Sequence, residues 1–217
     1  KSENQVPLEM HKVRVVQKLN LLPVDERLRA IQKAGNNTFL LQNKDIYLDM
    51  LTDSGVNAMS DRQTAAMHLA DDAYAGSETF NRLKAAMKEV FGTDNVLPAH
   101  QGRACENILA ERFVKPGMIA IMNFHFTTTK AHVTRCGGEV VEVLHKKGLI
   151  PQSDDPFKGD MDLQELRRVI TEYGPDRVAY VRVEAGTNLI GGQPVSLENM
   201  LAVADICHEF GVPSILD

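Results

Sequence analysis

MIAIMNFHFTTTKAHVTRCGGEVVEVLH, residues 118–145, holds two apolar runs separated by a polar one that ends in two glycines. MIAIMNF (118–124) is too short for a typical core helix and reads as a fully buried strand. TTTKAHVTRCGG (127–138) reads as a helix stopped by Gly137 and Gly138. EVVEVLH (139–145) is the next strand. Two strands joined through a helix imply a parallel pair, because a tight hairpin cannot connect parallel neighbours. Parallel strands are covered on both faces, which explains why MIAIMNF is apolar throughout rather than alternating.

Working outward, the alternation continues. Upstream, NVLPA (95–99) reads as a short strand and GRACENILAERFV (102–114) as a helix. Downstream, DLQELRRVITEYG (162–174) is a helix with a capping-box pattern at Asp162 and Glu165. RVAYVRVEA (177–185) is a strand, SLENMLAVADICHEFG (196–211) a helix and VPSILD (212–217) a strand. The expected fold is α/β, a mostly parallel sheet with helices on both faces.

Before residue 95 the chain is mixed up to about residue 50 and then reads as helical. SDRQTAAMHLADDAY (60–74) opens with Ser60 as N-cap. SETFNRLKAAMKEVFG (77–92) has Ser77 as its cap, Phe80, Leu83, Met87 and Phe91 on one face, and Gly92 as its stop. LLPVDERLRAIQKAG (21–35) carries Leu28 and Ile31 at helical spacing and stops at Gly35. NNTFLLQNKDIYLDML (36–51) shows shorter apolar bursts. Residues 1–51 are expected to be an N-terminal arm packing on another domain or subunit, and 52–217 part of a larger domain.

Composition narrows the function. The chain has 217 residues, 43% hydrophobic and 24% charged, with a net charge of -5. That is ordinary for a globular protein. Lys and Arg are dispersed, so no nucleic-acid footprint is expected. No apolar run is long enough to cross a membrane as a helix. The opening KSENQVPLEMHKVRVV lacks the apolar core of a signal peptide. Cys105, Cys136 and Cys207 form no CxxC pair and read as reduced, packing thiols of a cytoplasmic protein. The chain starts at Lys1 without Met and stops at Asp217, directly after the apolar run Val212 to Leu216. It is expected to be a piece of a longer protein.

Ligands of open parallel sheets bind outside the carboxyl ends of the strands. HQGR, HFTTT, GTNLIGGQP and Asp217 each follow a strand of this reading. Familiar alternatives do not fit. The glycine pairs lack the GxGxxG spacing of a dinucleotide site, and no GxxxxGK[ST] or GxSxG occurs. His125 and His132 have no carboxylates at ligand spacing, so a metal is not expected there.

A pyridoxal phosphate site does fit. It requires a phosphate cradle, an aromatic against the ring, an acid at the ring nitrogen and a lysine for the Schiff base. A helix N-terminus binds phosphate through unpaired N–H groups, a glycine lets the backbone approach, and an arginine adds a two-pronged donor. Gln101-Gly102-Arg103 supplies these, though a turn glycine and a solvated arginine read equally simply. Phe126 is either a stacking ring or a core residue. Asn188 is either a donor to the ring hydroxyl or a turn residue. Asp217 is either the ring-nitrogen partner or a strand-end acid.

The stretch from Thr52 to Asp217 resembles the aromatic β-eliminating lyases, the tryptophanase and tyrosine phenol-lyase family. The motifs that carry the resemblance are LTDSGVNAMS, DDAYAGSETF, PAHQGRACEN, FTTTKAH, FKGDMDL and NLIGGQPVS, in that order along the chain. The resemblance implies the PLP-dependent fold type I, aspartate aminotransferase-like. It implies a homotetramer in which two subunits share each site. It also implies cleavage of L-tryptophan to indole, or of L-tyrosine to phenol, with pyruvate and ammonia as the other products.

By the same resemblance Gln101, Gly102 and Arg103 form the phosphate cradle and Phe126 stacks on the ring. Asn188 bonds the cofactor hydroxyl and the substrate carboxylate. Asp217 keeps the ring nitrogen protonated, so that the ring accepts electrons when the α-proton leaves. Tyr74 and Thr127 take catalytic positions, with Tyr74 reaching a neighbouring subunit's site as a proton donor to the leaving arene. Thr52 contacts the substrate carboxylate. Gly55 and Asp72 look like ligands of a monovalent cation, potassium.

Three departures stand out. The family's lysine lies beyond Asp217, and none of Lys115, Lys130, Lys146, Lys147 or Lys158 matches it. Asp72 stands where the family commonly has Glu. Thr127 stands where tryptophanases commonly have Asp, which is closer to tyrosine phenol-lyase. An aminotransferase, another β-lyase or a non-catalytic fragment are the competing readings.

Overall fold

The computed structural model describes residues 18–51 and 59–217. The chain divides into two compact units, Lys1–Gly92 and Thr93–Asp217. The division falls later than the residue-51 boundary suggested by the sequence.

In the first unit, helix α1 (Val24–Lys33) is followed by two 3-10 turns at Thr38–Leu40 and Asn43–Asp45. Helix α2 (Asp61–His68) starts where expected, with the Ser60 hydroxyl accepting from the Gln63 N–H. It stops six residues early, at His68. Asp71 turns away to clasp Thr79: its Oδ2 accepts the Thr79 N–H at 2.8 Å, and its own N–H donates to Thr79 Oγ1 at 3.1 Å. Helix α3 (Glu78–Phe91) is capped by Ser77 and ends at Gly92 with φ 74°. Among the described residues of this unit only Ala34 is buried, and Phe80, Leu83 and Phe91 stay exposed.

The second unit holds the sheet. Helix α4 spans Gly102–Phe113, strand β1 Ile119–Met122, helix α5 Thr127–Arg135 and strand β2 Glu139–Glu142. Helix α6 (Leu163–Tyr173), strand β3 (Val178–Val183), the short strands β4 (Gly186–Thr187) and β5 (Gln193–Pro194), helix α7 (Leu197–Phe210) and strand β6 (Ser214–Leu216) follow. The order β2-β1-β3-β6 is parallel throughout. NVLPA forms no strand. Pro98 offers no N–H to a ladder, so the segment has little to gain from pairing.

Both faces of the sheet are covered, as expected. Ile119, Ile121, Val181 and Val183 pack in one core with Leu166 and Ile170 of α6 and Val203 and Ile206 of α7. Ala120, Met122 and Tyr180 pack in another with Ala110 of α4 and Val133 of α5. Each fully buried side chain of this kind is worth about 1.5–3 kcal/mol, so the sheet sandwiched between helix pairs is the stable frame of the unit.

Sequence neighbours explain the layering. The β1–α5–β2 unit runs to one side of β1, while β3 and then β6 lie on the other. The reversal lies between β1 and β3, and a crevice opens at the carboxyl ends of strands where such a reversal occurs.

Candidate active site

Asn123, the residue after β1, ties this crevice together. It is fully buried. Its Oδ1 accepts the Glu184 N–H at 3.0 Å, and its Nδ2 donates to the carbonyls of Glu184 at 2.9 Å and Gly159 at 3.0 Å. Beyond β3 the chain turns through β4 and β5, with Asn188–Ile190 as a 3-10 turn and Gly191 and Gly192 at positive φ. The sequence predicts no strand between RVAYVRVEA and SLENMLAVADICHEFG, and the short β4–β5 hairpin is an addition there.

FKGDMDL and NLIGGQPVS hold each other. Asp160 accepts the Ser196 N–H at 2.7 Å and pairs with Lys147 at 3.1 Å. Gly159 sits so close to the second motif that a Cβ would fall 2.5 Å from Thr187 Oγ1 and 2.6 Å from the Gln193 carbonyl. These motifs carry the scaffold behind the crevice.

At the crevice itself, the N-terminus of α4 meets the end of β6. Gln101 is the extended N-cap residue of α4, and no side chain caps the helix. First-turn N–H groups are therefore available to a ligand. A Cβ built on Gly102 would meet nothing within 4 Å, so the space above it is open. Gly102 and Asp217 line one cavity of about 230 Å³, with Glu106, Leu109, Tyr180 and Arg182. The Asp217 backbone extends the parallel ladder: its N–H donates to the Val183 carbonyl at 2.9 Å, and its carbonyl accepts from Ala185 at 2.8 Å.

A charged cluster lies along the wall of this cavity. Arg182, 4% exposed, donates from Nε to Asp217 Oδ2 at 3.0 Å and bonds the same oxygen through a terminal nitrogen. It lies 3.7 Å from Glu106 and 3.8 Å from Glu184. Glu106 accepts the hydroxyls of Thr128 and Thr129, which fastens the start of α5 to α4. Burial pushes the Glu184 carboxyl up, opposed by the Arg182 charge and the Asn188 backbone N–H. Burial likewise pushes the Tyr180 hydroxyl up to about 12.

The structure thus brings Gly102 and Asp217 together, with Gln101 and Arg103 beside Gly102 on an exposed helix start. Phe126 is half-buried as the N-cap residue of α5, and Thr127 is its exposed first residue. Asn188 is exposed at the turn after β4. Tyr74 and Asp72 belong to the first unit, on the exposed turn closed by the Asp71–Thr79 clasp. Thr52 and Gly55 lie outside the described residues. HQGR does not follow a strand, since NVLPA is not one.

No lysine lines the cavity among the described residues, and no three His, Cys, Asp or Glu residues there are grouped to hold a metal. Lys147 is engaged with Asp160 and Asp155, and Lys158 with the carbonyls of Ile150 and Pro151. His125 pairs with Glu142. Sequence reading missed Arg182, Glu184, Glu106 and Asn123. Arg182 and Glu184 did leave a signal, as charges inside the strand run RVAYVRVEA that has to be buried.

Comparison with known proteins places the chain in a family. The family model described as β-eliminating lyase matches residues 49–217. The chain belongs to the β-eliminating lyase family. Tyrosine phenol-lyase of Nostoc punctiforme is 44% identical over 209 residues, covering 96% of this chain and 45% of that protein. The tyrosine phenol-lyases of Fusobacterium nucleatum and Clostridium tetani are each 41% identical, covering 97% and 99% of this chain and 46% of their own lengths. The family member described here therefore spans a little under half the length of these curated relatives.

Among solved structures, Bna3p of Saccharomyces cerevisiae, titled a putative kynurenine aminotransferase, superposes with a TM-score of 0.52 at 18% identity. It covers 65% of this chain and 34% of Bna3p. An archaeal alanine:glyoxylate aminotransferase gives 0.50 at 19% identity, covering 64% of this chain and 33% of its own. The fold is the aminotransferase-like fold type I expected from the sequence. No described helix is long and apolar enough to cross a membrane.

Proposed function

We propose that the full-length protein is a pyridoxal phosphate-dependent lyase that converts L-tyrosine and water to phenol, pyruvate and ammonia. The observation that carries this reading is the meeting of Gly102 and Asp217 in one cavity at the carboxyl end of the sheet. A phosphate and a basic ring nitrogen need these two ends of a site. The uncapped helix start, the open space over Gly102 and the carboxylate on the cavity wall suit that cofactor. Its choice of tyrosine is supported by the tyrosine phenol-lyases at 41–44% identity and by Thr127.

When bound, pyridoxal phosphate supplies the electron sink that makes the substrate α-proton acidic. The residues divide the remaining work. Gln101, Gly102 and Arg103 bind the phosphate with backbone N–H groups and a guanidinium. Phe126 covers one ring face and excludes water. Asp217 holds a proton at the ring nitrogen. Asn188 and Thr52 orient the substrate carboxylate, with Thr127 beside the reacting centre. Tyr74 delivers a proton to the ring carbon that bears the side chain, so that phenol leaves. The required lysine is supplied C-terminal to Asp217.

Tyr74 is fully exposed within its own chain, which suits a residue reaching a neighbouring subunit's site in a homotetramer. Asp72, with Gly55, binds potassium in the same reading. The free state of Cys105, Cys136 and Cys207 suits the cytoplasm.

The test is product analysis of the full-length protein with pyridoxal phosphate, given L-tyrosine and L-tryptophan in parallel. Equal amounts of phenol and pyruvate from tyrosine support the proposal. Indole in preference to phenol moves the substrate to tryptophan. A keto acid without a free arene overturns the lyase reading in favour of an aminotransferase.

A further inference from the structure

Arg182 and Asp217 meet in an unusual way. A guanidinium facing a carboxylate commonly grips both oxygens with its two prongs. Here Nε and one terminal nitrogen both bond Asp217 Oδ2. Both of these bonds go to Oδ2, so Oδ1 takes no part in the pair, and Asp217 lines the cavity. Arg182 is buried, and its other terminal nitrogen has no hydrogen-bond partner. The Glu184 Oε2 that faces it at 3.8 Å is equally unbonded.

Burying a guanidinium with an unsatisfied nitrogen costs stability that an apolar residue would not. Arg182 sits on β3 beside Tyr180, where the neighbouring strand positions are apolar. Nothing about sheet packing calls for a charge there. The cluster also holds three carboxylates, Glu106, Glu184 and Asp217, around one arginine. A cation entering the cavity beside Asp217 therefore meets a surplus of acceptors.

We infer that Arg182 is a positioning residue: it locks Asp217 through Oδ2 and turns Oδ1 toward the cavity, to receive the N–H of a cationic nitrogen heterocycle. This rests on the cofactor reading above and adds to it the residue that orients the ring-nitrogen acid. Glu106 and Glu184 balance the Arg182 charge, so the arginine can hold Asp217 without repelling the ring cation. Glu106 in turn is fixed by Thr128 and Thr129.

The experiment compares binding of pyridoxal phosphate with its 1-deaza analogue, which has carbon in place of the ring nitrogen. Equilibrium dialysis is run on the full-length protein and on R182M, R182K, D217N and R182M/D217N. Wild type prefers the natural cofactor. R182M loses about tenfold of that preference, the scale of one charge-assisted hydrogen bond. R182M/D217N discriminates no less than D217N, because Arg182 acts through Asp217. R182K keeps the buried charge and recovers part of the preference, which also covers the case in which R182M does not fold.

An unchanged preference in both R182M and R182K overturns the assignment. So does a double variant that is worse than D217N. Failure of wild type to bind either compound overturns the cofactor reading itself, and the inference with it.

Discussion

Asn123 closes its side-chain amide on the backbone of Glu184, accepting its N–H at 3.0 Å and donating to its carbonyl at 2.9 Å. The two residues end β1 and β3, the neighbouring strands at the reversal of the sheet. The amide does there what a further ladder step would do if the strands continued. It also bonds Gly159 and Thr187, so one buried side chain fixes the segments that frame the crevice. N123A strips partners from buried backbone groups, each worth about 1–3 kcal/mol when left unsatisfied. We expect about 3 kcal/mol of destabilisation in denaturant unfolding, and N123D to fare no better because a carboxylate donates nothing. A loss below about 0.5 kcal/mol, the scale of a neutral surface change, would contradict the bonding.

Gly159 fixes the second motif behind the crevice. A methyl group there collides with Thr187 Oγ1 at 2.5 Å and with the Gln193 and Pro194 carbonyls at 2.6 and 2.9 Å. Two of the three obstacles are backbone, which cannot swing aside. G159A is expected to cost about 1–3 kcal/mol, the usual range for overpacking. Thermal unfolding beside G102A, which meets nothing within 4 Å, makes the comparison: G159A melts lower and G102A does not.

The turn bearing Asp72 and Tyr74 is closed by an acid. Hydrogen bonds from the Ser77 hydroxyl and then the Thr79 N–H hold the Asp71 carboxyl down at about 2, against an ordinary 3.8. A depressed acid contributes stability that is complete above its unfolded value and is lost as pH falls through the folded one. Protection factors for amide exchange in residues 71–79, which correct for the pH dependence of the intrinsic rate, should therefore fall between about pH 4 and pH 2. In D71N the turn is loosened at all pH values and this acid dependence disappears. Persistence of the dependence in D71N would place its origin elsewhere.

The thiols differ in reach. Cys207 is 1% exposed in the core between α7 and the sheet, and burial pushes its thiol up to about 11. Cys105 is exposed at the cavity mouth. Thiolate is the reactive form. At pH 8 a maleimide should label Cys105 first and Cys207 only in denaturant, as peptide mapping would read. Labelling of Cys207 in the native protein at the rate of Cys105 would contradict the packing of α7.

Much of the frame is written locally. Ser60, Ser77 and Ser196 cap their helices through their own hydroxyls, and Asp162 does so through its carboxylate. Such caps depend on residues two or three apart, and the sequence displays them. Asp162 shows the limit of this. It accepts the N–H groups of Gln164 and Glu165, but Glu165 pairs with Arg168 instead of completing a capping box.

By itself the sequence determined the alternation of strands and helices, the helix starts, and the order of motifs that marks the family. These depend on periodicity and near neighbours. The tertiary structure decided that NVLPA has no strand partner, that α2 ends where Asp71 finds Thr79, and that FKGDMDL and NLIGGQPVS support each other. It also decided that Arg182, Glu106, Glu184 and Asp217 form one cluster. Residues 106, 182 and 217 are far apart in the chain, and nothing in their spacing reveals a meeting. Only a parallel sheet that sets β3 beside β6, with α4 across its face, brings those charges within 4 Å.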